Sequence, residues 1–192
     1  MDWLTQTDLN ILNWIQETMQ CTFLDTVMPI VTWLGEYGIV CIALALVLLL
    51  IPKTRRTGLG IGIALLLGVL IGNVVLKNLI DRLRPFEVQE GVHLLVKALY
   101  DGSFPSGHSL ACFETATVLM IRNRKAGTVA LALATLVAFS RMYLFMHFPT
   151  DVLGGVAIGV VFGILGWWLA GKVLDFTEPR ISEWWQKRSK QQ

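Results

Sequence analysis

The 192-residue sequence carries little charge and lacks the features of several large protein classes. Only 16% of its residues are charged, whereas soluble domains have roughly 25%. Its three cysteines, Cys21, Cys41 and Cys112, are scattered, so neither a thiolate metal site nor a disulfide framework is expected. A net charge of +2 without a basic patch gives no reason to expect nucleic acid as a partner.

What the sequence does contain is a series of apolar segments, which predict an all-α membrane protein. Hydrophobic residues make up 54% of the chain, and the mean hydropathy is +0.60. Because a membrane-spanning helix needs roughly 20 apolar residues, we expect a polytopic transmembrane helix bundle that forms a single domain, residues 1–192. The five predicted spans are residues 33–51, 58–76, 106–122, 126–144 and 151–174.

The residues before the first span predict an N-terminal interfacial helix and a short lead-in. Leu12 and Ile15 lie on one face of the helix, and Trp3 and Trp14 are typical of the membrane surface. A helix packed on the bundle would show the same pattern. Residues 25–34 are apolar but too few to cross the hydrocarbon core unaided. If flanking residues help them to cross, the protein has six spans.

Basic residues are concentrated in stretches that the five-span topology places on one side of the membrane. These stretches are residues 53–56, 122–125 and 172–190, and their basic residues outnumber those of the other side. The positive-inside rule puts the basic side in the cytoplasm. We therefore expect a multi-pass protein of the plasma membrane whose other polar clusters face the extracytoplasmic side.

Three polar clusters lie at the ends of predicted spans. They are Lys77-x6-Arg84-Pro85, Pro105-Ser106-Gly107-His108, and Ser140-Arg141-x5-His147-x3-Asp151. Each alone has an ordinary explanation, such as snorkelling cations, the start of a helix or a hydrogen-bonded pair that fixes a loop. Together they place the cations Lys77, Arg84 and Arg141 on one side of the membrane, where they would repel one another without an anion.

The chemistry of these residues suits a phosphate group. Arginine offers a planar fork for phosphate oxygens, and lysine adds a point charge. Ser106 and Gly107 begin the third span, where free backbone N–H groups and the positive helix end can bind an anion. Two histidines, His108 and His147, remain for proton transfer and nucleophilic attack.

In this order and spacing, over residues 77–155, the three clusters resemble the signature motifs of the type 2 phosphatidic acid phosphatase superfamily. The apolar surroundings and the short N-terminal region are similar to those of its compact bacterial membrane members, such as prenyl-diphosphate phosphatases. The resemblance implies an integral-membrane lipid phosphatase that needs no metal ion and no other cofactor.

The resemblance also implies a role for each motif residue. His147 would attack phosphorus and form a phosphohistidine, while Asp151 holds the other ring nitrogen. His108 would protonate the leaving oxygen and then activate water. The residues implied in binding the phosphoryl oxygens are Lys77, Arg84, Ser106, Gly107 and Arg141.

Several alternatives stay open at this stage. A phosphotransferase that passes the phosphoryl group to a second lipid would use the same residues, and a non-catalytic lipid-binding protein would not need them intact. Undecaprenyl diphosphate is the favoured lipid substrate, ahead of phosphatidylglycerol phosphate and phosphatidate, because the short chain has no further domain to recognise a large head group. The sequence predicts neither the oligomeric state nor a role for Glu114, which need not face the same pocket as His108.

Overall fold

All regular secondary structure in the described part of the chain is helical, as the sequence predicts. The computed structural model describes the backbone of residues 2–189 and the side chains of residues 2–36 and 38–176. Part of the predicted basic and aromatic C-terminal tail lies outside the described side chains, namely Arg180, Trp184, Trp185, Lys187, Arg188 and Lys190.

The helices differ widely in length. In chain order they are α1 (Trp3–Met19), α2 (Thr22–Trp33), α3 (Ile39–Leu50), α4 (Arg55–Leu67), α5 (Lys77–Ile80), α6 (Pro85–Val88), α7 (Gly107–Arg122), α8 (Arg124–Tyr143) and α9 (Pro149–Ser189). Two 3-10 turns, Glu36–Gly38 and Pro52–Thr54, precede α3 and α4. A π-helical segment, Gly68–Leu76, joins α4 to α5, so the chain is helical without a break up to the first polar cluster.

Three stretches of the described chain are long and apolar enough to cross a membrane: Pro52–Val88, Arg124–Tyr143 and Pro149–Phe176. They contain the second and fifth predicted spans and all but the last residue of the fourth. The helices at the first and third predicted spans, α3 and α7, have 12 and 16 residues. Both have fewer than the roughly 20 residues needed for a full crossing. The membrane-spanning character of the protein is confirmed, while the number of spans stays a prediction.

Helix α7 is the central element, because it packs against α4, α8 and α9 and is buried along much of its length. Gly155, Gly159 and Gly163 of α9 face it. A Cβ atom on any of the three would lie 2.6–2.8 Å from atoms of Ser106 or α7. Only glycine permits this close approach, which is the packing role that small residues at four-residue spacing predict.

Helix α1 is amphipathic and packs on the bundle. Leu9, Leu12 and Ile15 are buried, whereas Trp3 and Trp14 on its other side are exposed. The apolar face therefore belongs to the protein core, and the tryptophans are left free to contact the membrane surface.

Candidate active site

A cavity of about 620 Å³ lies between α3, the π-helical segment, α7 and the loops that precede α7 and α9. Its lining is partly polar and partly apolar, with Ile42, Leu65 and Val69 among the apolar residues. The structure brings five of the predicted site residues to this cavity: Lys77, Arg84, Gly107, His108 and His147. Ser106, Arg141 and Asp151 are buried and lie outside the cavity lining.

His147 is presented by a tight reversal of the chain between α8 and α9. The backbone carbonyl of Arg141 accepts hydrogen bonds from the amides of Met146 and His147 at 3.0 and 3.3 Å. Phe145, at the centre of the reversal, has a φ of 57°, a conformation that is uncommon for a bulky residue. Proline at the start of α9 then restarts the helix two residues after His147.

The imidazole of His147 is held by two contacts that define its tautomer. Nδ1 lies 2.8 Å from the carbonyl oxygen of Ser103, and Nε2 lies 3.3 Å from Nη1 of Arg84. A carbonyl oxygen can only accept a hydrogen bond, so Nδ1 carries the proton. The lone pair is therefore on Nε2, on the side of Arg84 and the cavity.

Asp151 supports this imidazole through Ser103, which differs from the direct hydrogen bond that the family resemblance implies. Oδ2 of Asp151 is 3.9 Å from Nδ1 of His147, too far for a hydrogen bond. The carboxylate instead accepts hydrogen bonds from the Ser103 hydroxyl at 2.5 Å, the Phe148 amide at 2.9 Å and Nη1 of Arg82 at 2.6 Å. The serine carbonyl, closer to the ring, takes the position expected of the carboxylate.

The surroundings of His147 favour an uncharged imidazole. Burial lowers the pKa of His147 well below its usual range, and the positive charges of Arg84, Arg141 and Lys77 lower that pKa further. At neutral pH the side chain is therefore an uncharged base with an available lone pair, which is the form required of a nucleophile.

Arg84 and Lys77 are tied together by a residue that the sequence analysis did not single out. Asp101 accepts a hydrogen bond from Nη2 of Arg84 at 2.6 Å and forms an ion pair with Lys77. Burial alone would raise the pKa of Asp101, but the hydrogen bond and charge of Lys77 and the charge of Arg84 outweigh it and lower that pKa to about 2. Asp101 is therefore a permanent anion beside two of the predicted phosphate ligands.

Arg141 is buried with unused hydrogen-bond donors. Its Nη1 donates to the Thr32 hydroxyl at 2.6 Å. No acceptor in the described part of the protein reaches Nε or Nη2. An unpaired buried donor costs about 1–3 kcal/mol, so these two nitrogens are well suited to an anionic ligand.

The second predicted histidine begins the central helix. Ser106 caps α7 with its hydroxyl, which accepts a hydrogen bond from the Ser109 hydroxyl at 3.0 Å, and its own amide donates to the Asp151 carbonyl at 3.1 Å. Ser106 therefore fixes the start of α7 but does not line the cavity. Nε2 of His108 faces the cavity region and lies 3.4 Å from Oε2 of Glu36.

Glu114 lines the same cavity as His108, although the spacing of the two residues along α7 does not require them to face the same pocket. It is 1% exposed, and Oε1 has no hydrogen-bond partner among the described residues. Its carboxylate packs against Gly68, at the first residue of the π-helical segment, where any side chain would collide with it.

Sequence reasoning missed Arg82, Asp101 and Ser103, which are polar contacts of the motif residues. All three lie within or just before the motifs, so proximity in sequence was an available signal for them. Asp8 was also missed, although a charge on the same helix face as Leu12 indicates a buried partner.

Comparison with known proteins identifies the family of the chain. Residues 57–175 match the PAP2 superfamily. The undecaprenyl-diphosphatase BcrC of Bacillus subtilis (strain 168) is 33% identical over 145 residues, covering 74% of this chain and 72% of the relative. The undecaprenyl-diphosphatase of Sulfolobus acidocaldarius is 31% identical over 159 residues, covering 81% and 71%.

A solved structure extends the likeness to the fold. A transmembrane PAP2-type phosphatidylglycerolphosphate phosphatase from Bacillus subtilis superposes with a TM-score of 0.73 at 28% identity, covering 90% of this chain and 89% of that one. Helical membrane spans around a cavity lined by basic residues and histidines define a membrane-embedded lipid phosphatase. The chain belongs to the PAP2 superfamily.

Proposed function

We propose that the protein hydrolyses undecaprenyl diphosphate to undecaprenyl phosphate and inorganic phosphate. The observation that supports the catalytic part of this proposal is the oriented, uncharged imidazole of His147, with its Nε2 lone pair beside Arg84. The substrate is favoured because two relatives more than 30% identical over most of this chain are named undecaprenyl-diphosphatases. The apolar residues that line the cavity, among them Ile42, Leu65 and Val69, are suited to the polyprenyl chain next to the diphosphate.

In the first step, Nε2 of His147 attacks the terminal phosphorus. The N–P bond forms as the bridging P–O bond breaks, and His108 donates a proton to the leaving oxygen of undecaprenyl phosphate. Lys77, Arg84 and Arg141 stabilise the charge on the phosphoryl oxygens, and the Gly107 amide at the start of α7 adds a backbone donor.

In the second step, His108 removes a proton from a water molecule, which attacks the phosphohistidine. The N–P bond breaks, inorganic phosphate leaves, and both histidines return to their starting state. Asp151 supports the positive charge on the His147 ring through Ser103. In this mechanism no metal ion takes part.

We further propose five spans, with the phosphate site on the extracytoplasmic side of the plasma membrane. The loop charges support this orientation. Residues 53–56 stand at the start of the helical stretch that leads to the cavity-lining Lys77, and residues 122–125 follow the end of α7, whose first residue, Gly107, lines the cavity. A Thr5→Cys variant should then gain reaction with a membrane-impermeant thiol reagent in intact cells. Gain of reaction only after permeabilisation would contradict the proposed topology.

The test of the activity is phosphate release by the purified chain in detergent. We expect turnover of undecaprenyl diphosphate in the presence of a chelator, inhibition by vanadate, and complete loss of turnover in the His147→Ala variant. A strict requirement for a divalent metal, or substantial turnover by His147→Ala, would contradict the mechanism. His93→Ala, at an exposed histidine, is the matched control and should keep wild-type activity.

Phosphatidylglycerol phosphate is the competing substrate, because the similar solved structure is named for it. Both lipids should be compared by kcat/KM under the same conditions. A much higher value for the glycerophospholipid would overturn the substrate assignment while leaving the mechanism intact. Transfer of labelled phosphate from the substrate to a second lipid, with little release of free phosphate, would instead identify a phosphotransferase.

A further inference from the structure

Asp8 is a buried acidic residue outside the region that matches the family, and the mechanism above gives it no role. It lies on α1 and is 2% exposed. Its carboxylate accepts hydrogen bonds from Nη2 of Arg82 at 2.8 Å, from the Thr150 amide at 3.2 Å and from the Thr150 hydroxyl. A buried carboxylate is costly unless it is paired, and these contacts attach α1 to the chain next to the reaction centre.

Arg82 connects Asp8 to the carboxylate of Asp151. Nη2 of Arg82 donates to Asp8, while Nη1 donates to Oδ1 of Asp151 at 2.6 Å and to the Thr150 hydroxyl at 2.7 Å. The guanidinium also stacks on the ring of Phe148 at 4.1 Å. Two carboxylates therefore share one guanidinium group, and each reduces the positive charge that the other experiences.

The connection continues from Asp151 to the nucleophile. Oδ2 of Asp151 accepts the Ser103 hydroxyl at 2.5 Å, and the Ser103 carbonyl accepts Nδ1–H of His147 at 2.8 Å. Each member of this series is buried or half-buried, so solvent screens the interactions only weakly.

We propose that Asp8 is a positioning residue for phosphoryl transfer, which acts on His147 through Arg82, Asp151 and Ser103. The N-terminal helix then contributes to the reaction centre as well as to packing. This inference rests on the proposed role of His147 as the nucleophile.

The electrostatic consequence has a definite sign. The charged and titratable groups around the imidazole are Lys77, Arg84, Asp101, His108, Arg141 and Asp151. Asp151 is the carboxylate nearest to the ring and opposes the cations. If Asp8 loses its charge, the whole charge of Arg82 acts on Asp151. The ring then becomes harder to charge, both on protonation and on formation of the phosphohistidine.

The test is the Asp8→Asn variant of the full chain, which removes the charge and keeps an oxygen for the Thr150 amide. We expect kcat for undecaprenyl diphosphate to fall at least about tenfold, with KM within about twofold because Asp8 does not line the cavity. The pKa of His147 falls further in the variant, so the acid limb of the kcat profile moves to lower pH.

The matched control is Glu17→Gln. Glu17 is exposed on the same helix, about two and a half turns beyond Asp8, and its variant has the same change in charge. We expect its kcat and pH profile to match those of the wild type. A purely structural role for Asp8 would lower the melting temperature of Asp8→Asn while leaving the kcat of the folded fraction and the pH limb unchanged. That result would overturn the inference.

Two further variants make every outcome decisive. If Asp8→Asn is not recovered folded, Asp8→Ser replaces it, because this variant also removes the charge and leaves a hydroxyl for the Thr150 amide; wild-type kcat in that variant would overturn the inference. An inactive His147→Ala together with wild-type-like Asp8→Asn would refute only the role of Asp8. An active His147→Ala would refute the proposed function itself.

Discussion

Two buried arginines lie beside the cavity, and the protein satisfies them in opposite ways. Every guanidinium nitrogen of Arg84 has a protein partner: Asp101 for Nε and Nη2, and Met146 and His147 for Nη1. Arg141 donates only to Thr32, and in the described part of the protein nothing accepts from its Nε or Nη2. Arg84 is thus part of the architecture, whereas Arg141 keeps donors for a ligand.

The same residue type in the same site can therefore have opposite effects on stability. Arg84 joins the loops that carry Asp101, Met146 and His147, so its hydrogen bonds hold the site together. Arg141 lowers the free energy of unfolding by about 1–3 kcal/mol for each buried donor that has no acceptor. Such a cost to the stability of the fold is expected at a residue whose role is to bind an anion.

The largest expected effect follows from replacing each arginine with methionine. Arg84→Met should lower the melting temperature by roughly 6 °C or more, because it breaks a network of buried hydrogen bonds. Arg141→Met should leave it unchanged or raise it, because the variant loses one hydrogen bond to Thr32 and also removes two unpaired buried donors. Both should lower kcat/KM by at least about 10²-fold, because each removes a positive charge from the phosphoryl group.

Thermal unfolding with and without vanadate measures both parts of this comparison. A bound anion should stabilise the wild type, in proportion to its concentration over Kd, and should not stabilise Arg141→Met. Equal losses of melting temperature in the two variants, or vanadate stabilisation retained in Arg141→Met, would contradict the division of roles between the arginines.

A smaller effect is expected from Thr32, the single described side-chain anchor of Arg141. The Thr32→Val variant removes the hydroxyl that accepts from Nη1 at 2.6 Å. We expect kcat/KM to fall about tenfold, since one hydrogen bond to a charged group contributes about 1.5–3 kcal/mol. Thr26→Val is the control, because Thr26 is an exposed threonine on the same helix whose hydroxyl donates to the Thr22 carbonyl. An equal loss in both variants would assign the effect to α2 and not to Arg141.

The smallest effect is expected at Asp101, which occupies donors of Arg84 in the manner of an internal anion. Asp101→Asn should lower the inhibition constant of vanadate by about threefold, since one negative charge no longer competes for Lys77 and Arg84. Glu90→Gln, an exposed acidic residue in the same loop, should leave it unchanged. A raised inhibition constant in Asp101→Asn would instead show that the carboxylate is needed to arrange the two cations.

The same substitution changes the dependence of stability on pH. Because the pKa of Asp101 is lowered to about 2 in the folded protein and is about 3.9 in an unfolded chain, its charge stabilises the fold fully above the unfolded value. That contribution is lost as the pH falls through the folded value. The stability difference between wild type and Asp101→Asn should therefore be constant near neutral pH and shrink in this acid range.

The motif residues could be predicted from the sequence because their chemistry is tied to fixed spacing at the ends of apolar segments. Lys77, Arg84, His108 and His147 all reach one cavity, as expected for clusters on one side of a helical bundle. The four-residue spacing of glycines in α9 also predicts that a helix packs closely there, and the structure shows that this helix is α7.

The supporting contacts could not be predicted in the same way, because they depend on how loops meet in space. The backbone carbonyl of Ser103 takes the place expected of the Asp151 carboxylate at Nδ1 of His147. Every residue has a backbone carbonyl, so the sequence does not indicate which one makes this contact. Asp8 contacts Thr150 and Arg82, the neighbours of Asp151, only because α1 packs beside the start of α9. Helix α3 is shorter than the predicted span of residues 33–51, because the 3-10 turn Glu36–Gly38 precedes it and the α-helix begins only at Ile39. Helix α7, in contrast, covers nearly the whole of its predicted span.

The central claim is that His147 becomes phosphorylated during turnover, and trapping of that intermediate tests it most directly. The enzyme would be mixed with undecaprenyl diphosphate labelled at the terminal phosphate and quenched in alkali, in which phosphohistidine survives. We expect acid-labile label on the peptide that contains His147 and none in His147→Ala. Label on another residue, or substrate turnover by His147→Ala, would contradict the account.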